Sequence, residues 1–170
     1  TLDVQVSWFS PLTAKDPGAV YTTHVTGIDV ALVEIDPDTG VIRVLEYYTA
    51  HDCGRLVNPA IVEGQLHGGM AMGIGEALYE ELVYDENGQL LNPTHMDYML
   101  PTATEVPNIQ VEHQETPAPF TEIGTKGMGE GGPISAPQTI FNAAEDALST
   151  DLEEVPIKPD KVIKLLREKK

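Results

Sequence analysis

A helix-like segment that carries five glycines is the feature that most constrains the fold of this chain. In the stretch AIVEGQLHGGMAMGIGEALYEELVY, apolar residues recur at roughly helical spacing from Ile61 to Leu82. The glycines of this stretch are Gly64, Gly68, Gly69, Gly73 and Gly75. Each glycine costs an isolated helix about 1 kcal/mol relative to alanine. A helix that keeps all five is therefore expected to lie against another backbone or against a bulky ligand.

A second glycine-rich segment, TKGMGEGGPISAPQ, runs from Thr125 to Gln138 and contains one carboxylate, that of Glu130. Two interpretations are open. Glycine-rich turns before helices are common, and in such a turn Glu130 is a solvated residue. Alternatively, the backbone N–H groups of the loop bind an anion, and a carboxylate sealed against the bound ligand acts as a general base. In the second interpretation Lys126 pairs with the anionic ligand.

A third stretch, HDCGRLVNPAIVEGQLHGG, contains further candidate site residues. The amide of Gln65 both donates and accepts hydrogen bonds, which suits a heterocycle or a ligand oxygen, although it also suits an ordinary helix surface. Asp52 is typical of a turn residue that bonds its own backbone, and Cys53 is typical of a small buried residue. The residues alone leave these alternatives open.

The remaining pattern predicts an α+β fold with a mixed β-sheet and packed helices. Alternation on both sides of DPDTG, from Asp36 to Gly40, predicts a β-hairpin with a loop of about four or five residues. A turn with a short strand is expected at residues 85–92, and another strand at Ile109–His113.

Two more helices are predicted towards the end of the chain. The segment SAPQTIFNAAEDALS is the clearest helix, with Ser135 as its expected N-cap and Pro137 in its first turn. Its apolar face is expected to contain Ile140, Ala144 and Leu148. The segment VPIKPDKVIKLLREKK predicts a short amphipathic helix with a basic end.

Charge and cysteine content exclude several classes of protein. The net charge of −17 argues against nucleic-acid binding, which needs clustered Lys and Arg. A single cysteine excludes an internal disulfide framework and a cysteine-based zinc or iron–sulfur site within this chain, and favours a cytoplasmic setting. No apolar run is long enough for a transmembrane segment.

Common catalytic motifs are also missing from the sequence. The chain contains no HExxH metal pair, no GxSxG elbow and no Walker A loop. A stand-alone hydrolase that uses Glu130 and a histidine is a further alternative, but no histidine lies near Glu130 in sequence.

Two stretches in this order, DCGRLVNPAIVEGQLHGGMAMGIGEALYEE and then TKGMGEGGPISAPQTIFNAAEDAL, carry a family resemblance. They resemble the molybdenum-containing large subunit of the xanthine oxidase family, which includes xanthine dehydrogenase, aldehyde oxidoreductase and aerobic carbon monoxide dehydrogenase. In that family a D-x-G-x-x-x-N-P turn leads to a G-Q-x-x-G-G helix, and a later K-x-x-G-E-[GP] loop leads to a final helix. The resemblance covers roughly residues 20–160. The GEGG form is closer to the carbon monoxide dehydrogenase-like and bacterial branches than to animal xanthine oxidases.

The resemblance implies a role for each matching residue. Glu130 corresponds to the base that deprotonates a metal-bound hydroxyl, which then attacks an electrophilic carbon while, for an aldehyde or an N-heterocycle, hydride passes to sulfur. The implied substrate is an aldehyde, an N-heterocycle or CO. Gln65 corresponds to the glutamine that hydrogen-bonds the pterin. The other implied cofactor-binding residues are Lys126, Gly127 and Gly129 in the loop, and Asp52, Cys53 and Gly54 in the turn. No side chain is expected to ligate molybdenum, because the cofactor's dithiolene sulfurs hold the metal.

The resemblance also implies the surroundings of this chain. The cofactor is molybdopterin, expected as the cytosine dinucleotide form, with iron–sulfur clusters and FAD on partner subunits. The chain is expected to be a single C-terminal domain, residues 1–170, that is a fragment or split piece of a larger subunit. Its activity as an oxidoreductase then requires the remainder of the molybdenum subunit, an iron–sulfur subunit and a flavin subunit. The alternative is a non-catalytic assembly module that keeps the fold.

Overall fold

A computed structural model describes residues 23–168 of the chain. The elements are β1 (Thr26–Ile35), β2 (Ile42–Asp52), α1 (Pro59–Leu78), β3 (Ile109–His113), α2 (Ala136–Leu148) and α3 (Pro159–Glu168). The predicted α+β fold with a mixed sheet and packed helices is confirmed. No helix in this part of the chain is both apolar enough and long enough to cross a bilayer.

The predicted hairpin is present, with a longer loop than expected. Strands β1 and β2 are antiparallel, and Ile35 pairs with Ile42, so the loop spans Asp36–Val41. The carboxylate of Asp36 accepts a hydrogen bond from the backbone N–H of Asp38 at 2.8 Å, and its carbonyl accepts one from Gly40 at 2.8 Å. These bonds close a turn inside the loop, which sequence spacing alone does not reveal.

Strand β3 completes the sheet by pairing parallel to β2. The pairing runs from Tyr47 opposite Ile109 to His51 opposite His113, and the strand order within the described residues is β1-β2-β3. The short strand predicted with the turn inside residues 85–92 is reduced to a single bridge between Tyr84 and Leu90. The mixed sheet therefore consists of one antiparallel pair and one parallel pair.

The core lies between one face of the sheet and the helices. Inward-facing Tyr47 of β2 is fully buried, as are Leu66 and Met70 of α1 and Ile140 of α2. The apolar face predicted for α1 is correct in its middle but wrong at its ends, because Ile61 and Leu82 are exposed. The face predicted for α2 is confirmed: Ile140, Ala144 and Leu148 are all buried.

The N-termini of α1 and α2 are held in different ways. The Asn58 side chain caps α1 by accepting a hydrogen bond from the Ile61 N–H at 3.3 Å. Ser135 does not cap α2 with its side chain, contrary to the prediction. Its hydroxyl donates instead to the carboxylate of Asp29 on β1. The charged acceptor on the sheet competes successfully with the helix terminus because hydrogen bonds to ionised groups are the stronger ones.

Candidate functional site

The two glycine-rich segments meet in the fold, backbone against backbone. A Cβ atom built on Gly69 of α1 would stand 2.7 Å from the Cα of Gly132 and 2.6 Å from the Cδ of Pro133. One built on Gly73 would stand 2.4 Å from the Cβ of Ala136. The predicted contact of α1 with another backbone is confirmed at Gly69, whereas Gly73 chiefly meets the side chains of Ala136 and Pro137. We call residues 125–135, which lead into α2, the acid loop.

Four other glycines face open space. Cβ atoms built on Gly64 and Gly68 of α1, or on Gly127 and Gly129 of the acid loop, would meet no atom of their surroundings within 4 Å. Between the two pairs, the side-chain amide of Gln65 donates a hydrogen bond to the carbonyl of Gly129 at 3.2 Å. Internal packing does not require glycine at these positions. We call these four open glycines, two in each of the segments that the Gln65–Gly129 bond joins, the glycine surface.

Glu130 follows Gly129 directly, so the acid lies beside the contact between the two segments. Its side chain is exposed. The described residues therefore do not supply the burial that the general-base interpretation expects. In the chain the acid directly follows Gly129, one of the four open glycines.

The turn at 52–54 is bonded to the start of the acid loop. The carboxylate of Asp52 lies 3.1 Å from the ammonium of Lys126, and the two side chains are only 10% and 11% exposed. The same carboxylate accepts backbone hydrogen bonds from Gly54 at 2.8 Å and Thr116 at 3.1 Å. The Lys126 N–H donates to the carbonyl of Cys53 at 2.8 Å. The predicted residues Asp52, Cys53, Gly54 and Lys126 thus form one connected unit.

The surroundings of Asp52 favour its ionised form. Burial alone would raise the pKa of Asp52. Hydrogen bonds from Thr116 and Gly54 and the Lys126 ammonium outweigh that effect and hold the pKa well below its usual range. The ammonium predicted to face an anionic ligand is therefore engaged inside the chain. A direct contact between Lys126 and a ligand stays a prediction.

Gly54 and Cys53 contribute through their backbone. Gly54 has φ of +69°, and a Cβ atom there would stand 2.2 Å from the carbonyl oxygen of Gly124, so only glycine fits. Cys53 is 3% exposed, and burial raises the pKa of its thiol. A protonated, enclosed thiol packs as a small apolar group.

Two further observations concern metal ligands and cavities. No group of three or more His, Cys, Asp or Glu side chains in residues 23–168 is arranged to hold a metal ion. A cavity of about 690 Å³ is lined by residues that include Leu78, Val83 and Met99. None of the predicted site residues lines this cavity, so the cavity is separate from the candidate site.

Two glycine-to-alanine substitutions compare a position of the acid loop that is packed against α1 with one that is open. Gly132→Ala is expected to lower the free energy of unfolding by about 1–3 kcal/mol, because the new methyl group overlaps the backbone of α1. Gly127→Ala in the same loop meets no such contact and is the matched control. Urea unfolding of both variants measures the difference. Equal stabilities would contradict the backbone contact between Gly132 and Gly69.

Comparison with known proteins identifies relatives of this chain. Residues 1–107 match the model of a family described as the molybdopterin cofactor-binding domain. The chain is 46% identical over 136 residues to the nicotine 6-hydroxylase large subunit of Paenarthrobacter nicotinovorans, covering 78% of this chain and 17% of that protein. It is 39% identical over 125 residues to the carbon monoxide dehydrogenase large chain of Afipia carboxidovorans, covering 74% of this chain and 16% of that protein.

Solved structures give the same result. The Cu,Mo-CO dehydrogenase in its carbon monoxide reduced state matches with a TM-score of 0.80 and 35% identity, over 85% of this chain and 18% of that chain. Quinoline 2-oxidoreductase from Pseudomonas putida 86 matches with a TM-score of 0.76 and 45% identity, over 81% of this chain and 18% of that chain. The chain thus spans less than a fifth of the length of these relatives. The family match ends at residue 107, before the acid loop.

Proposed function

Because the chain belongs to the molybdopterin cofactor-binding domain family, as part of a xanthine oxidase-type large subunit, we propose that the glycine surface binds the molybdopterin cofactor and that Glu130 is the general base of the reaction. The observation that carries this proposal is the hydrogen bond from Gln65 to Gly129. It joins the two glycine-rich segments directly beside the single acid of the loop.

The glycine surface fits a flat, anionic cofactor. Gly64, Gly68, Gly127 and Gly129 leave room that a Cβ atom would fill. Glycine at such positions allows close approach of a ligand to the backbone, whose N–H groups attract anions. The Gln65 amide has hydrogen-bonding capacity beyond its bond to Gly129, and this capacity suits a pterin edge.

When bound, the cofactor supplies a redox-active molybdenum centre that takes up the electrons of substrate oxidation. The chain supplies position and proton transfer. Gln65 orients the cofactor edge and fixes Gly129, while the Asp52–Lys126 pair fixes the start of the acid loop. Glu130, covered by the bound ligand, loses hydration and accepts the proton of the attacking group at its carboxylate.

The wider setting belongs to the same proposal. We expect the cofactor to be the cytosine dinucleotide form, and the substrate to be an aldehyde, an N-heterocycle or CO. Two relatives are named for substrates of these kinds: the nicotine 6-hydroxylase large subunit and the carbon monoxide dehydrogenase large chain. The activity requires the remainder of the molybdenum subunit together with iron–sulfur and flavin subunits that carry electrons to an acceptor, in the cytoplasm.

Gly68→Ala tests cofactor binding independently of folding. Alanine is a better helix former than glycine, by roughly 0.8–1 kcal/mol, and it meets no contact at this position. We therefore expect a higher melting temperature for the chain and a lower molybdenum and pterin content in the assembled protein. Metal analysis and pterin fluorescence after release of the cofactor measure the second effect.

Glu76→Ala, an exposed change farther along α1, is the matched control and should leave the cofactor content unchanged. Full cofactor content in a folded Gly68→Ala protein would contradict binding at the glycine surface.

A further inference from the structure

Glu130 lies between two anchored residues of the acid loop. On one side, the carbonyl of Gly129 accepts the hydrogen bond from Gln65 at 3.2 Å. On the other side, Gly131 rests against the imidazole of His51. A Cβ atom built on Gly131 would stand 2.7 Å from Cε1 and 2.9 Å from Nε2 of that ring. Glu130 itself is exposed, so the anchors act on it through the backbone.

The side chain of His51 is buried between a glycine of the sheet and a glycine of the acid loop. It is the second-last residue of β2 and is 3% exposed. It pairs with Gly27 on β1 and with His113 on β3. A Cβ atom on Gly27 would stand 3.1 Å from Nδ1, so the ring has glycine on two sides. The ring fills this space because neither glycine has a side chain, and its position determines where Gly131 can lie.

The ring reaches the loop in its neutral form. Burial lowers the pKa of His51, the charges of Asp29 and Asp52 oppose that shift, and His113 and Lys126 add to it. Within the described residues, Nε2 is buried and has no hydrogen-bond partner. A buried polar atom without a partner is unfavourable. This polar edge of the ring faces Gly131, next to the acid.

We infer that His51 is the positioning residue for Glu130. Its imidazole packs against the acid loop at Gly131, and Gln65 of α1 bonds the same loop at Gly129. The inference rests on the proposed role of Glu130 as the base. His51 is too deeply buried to touch substrate, so its effect is on the geometry of the acid and not on substrate binding. A displacement of about 1 Å at a reacting group can cost roughly a hundredfold in rate.

The test replaces His51 in the assembled, molybdenum-loaded enzyme. His51→Ala and His51→Asn both shorten the side chain, and we expect kcat to fall by about 10–100-fold with KM and molybdenum content close to those of the parent. His51→Gln extends an amide towards the position of Nε2 and should restore most of kcat. The asparagine variant keeps the test informative where alanine impairs folding.

Hydrogen–deuterium exchange at residues 129–132 provides a readout that does not depend on turnover. Exchange should become faster in the asparagine variant and stay at the parental rate in His113→Gln, a change at the partly exposed histidine paired with His51 on β3. Parental kcat and exchange in His51→Asn would overturn the inference. Glu130→Gln in the same preparations separates the two claims: if it keeps turnover the proposed base is wrong, while the exchange data still decide whether His51 supports the loop.

Discussion

Replacement of Glu130 by Gln is expected to lower turnover of the assembled enzyme by about 10²–10⁴-fold, the range over which a positioned general base accelerates proton transfer. The amide keeps the size of the side chain but does not accept a proton at neutral pH. Because the side chain is exposed and the loop is held by Gln65 and by the Asp52–Lys126 pair, folding and cofactor content should be retained. Steady-state kinetics with aldehydes, N-heterocycles and CO, together with metal analysis, measure both effects.

Glu122→Gln is the matched control, since Glu122 is an exposed glutamate that precedes the acid loop. It should leave turnover unchanged. If the Glu130→Gln enzyme turned over like its parent with a full complement of molybdenum, Glu130 would not be the base. The non-catalytic assembly module would then be the better account of this chain.

Loss of the Asp52 carboxylate is expected to have the largest effect on stability. Asp52→Asn leaves the ammonium of Lys126 buried without its counter-charge, which costs about 3 kcal/mol. The backbone N–H groups of Gly54 and Thr116 keep only a neutral acceptor. Since the pair also fastens the acid loop, cofactor content should fall together with the free energy of unfolding. Urea unfolding and metal analysis provide these measurements, with exposed Asp38→Asn as the control.

The same carboxylate gives stability a defined pH dependence. Because folding lowers the pKa of Asp52, its contribution is fully present above the pKa of an unfolded aspartate, about 3.9, and is lost as pH falls from there towards the folded value. Asp52→Asn should therefore flatten the decline of unfolding free energy below about pH 4. An acid limb as steep in the variant as in the parent would show that Asp52 is not held as an ionised pair.

Local sequence signals were sufficient for most elements. The spacing of apolar residues predicted α1 and α2, because a helix must bury one face, and alternation around a turn predicted the hairpin. Ile109–His113 forms a strand as predicted, but its parallel pairing with β2 joins residues far apart in sequence and left no local signal. The Ser135 cap failed for the same reason, since its competitor Asp29 lies on another element.

The candidate site was predictable where its chemistry is carried by the chain's own motifs. Glu130 and Gln65 belong to recognisable segments, and the hydrogen bond from Gln65 to Gly129 brings those segments together. The ion pair of Asp52 with Lys126 was not predicted, although both residues were candidates, because only the tertiary fold opposes them. His51 had no signal of its own: a single histidine at the end of a strand indicates nothing until Gly131 is found above it.

A structure of the assembled large subunit with its cofactor bound is the measurement that tests the central claim most directly. We expect the pterin to lie against Gly64, Gly68, Gly127 and Gly129, within hydrogen-bonding reach of the Gln65 amide. The carboxylate of Glu130 should face the reactive side of the molybdenum centre. A cofactor bound elsewhere, with the glycine surface in contact only with protein, would contradict the account.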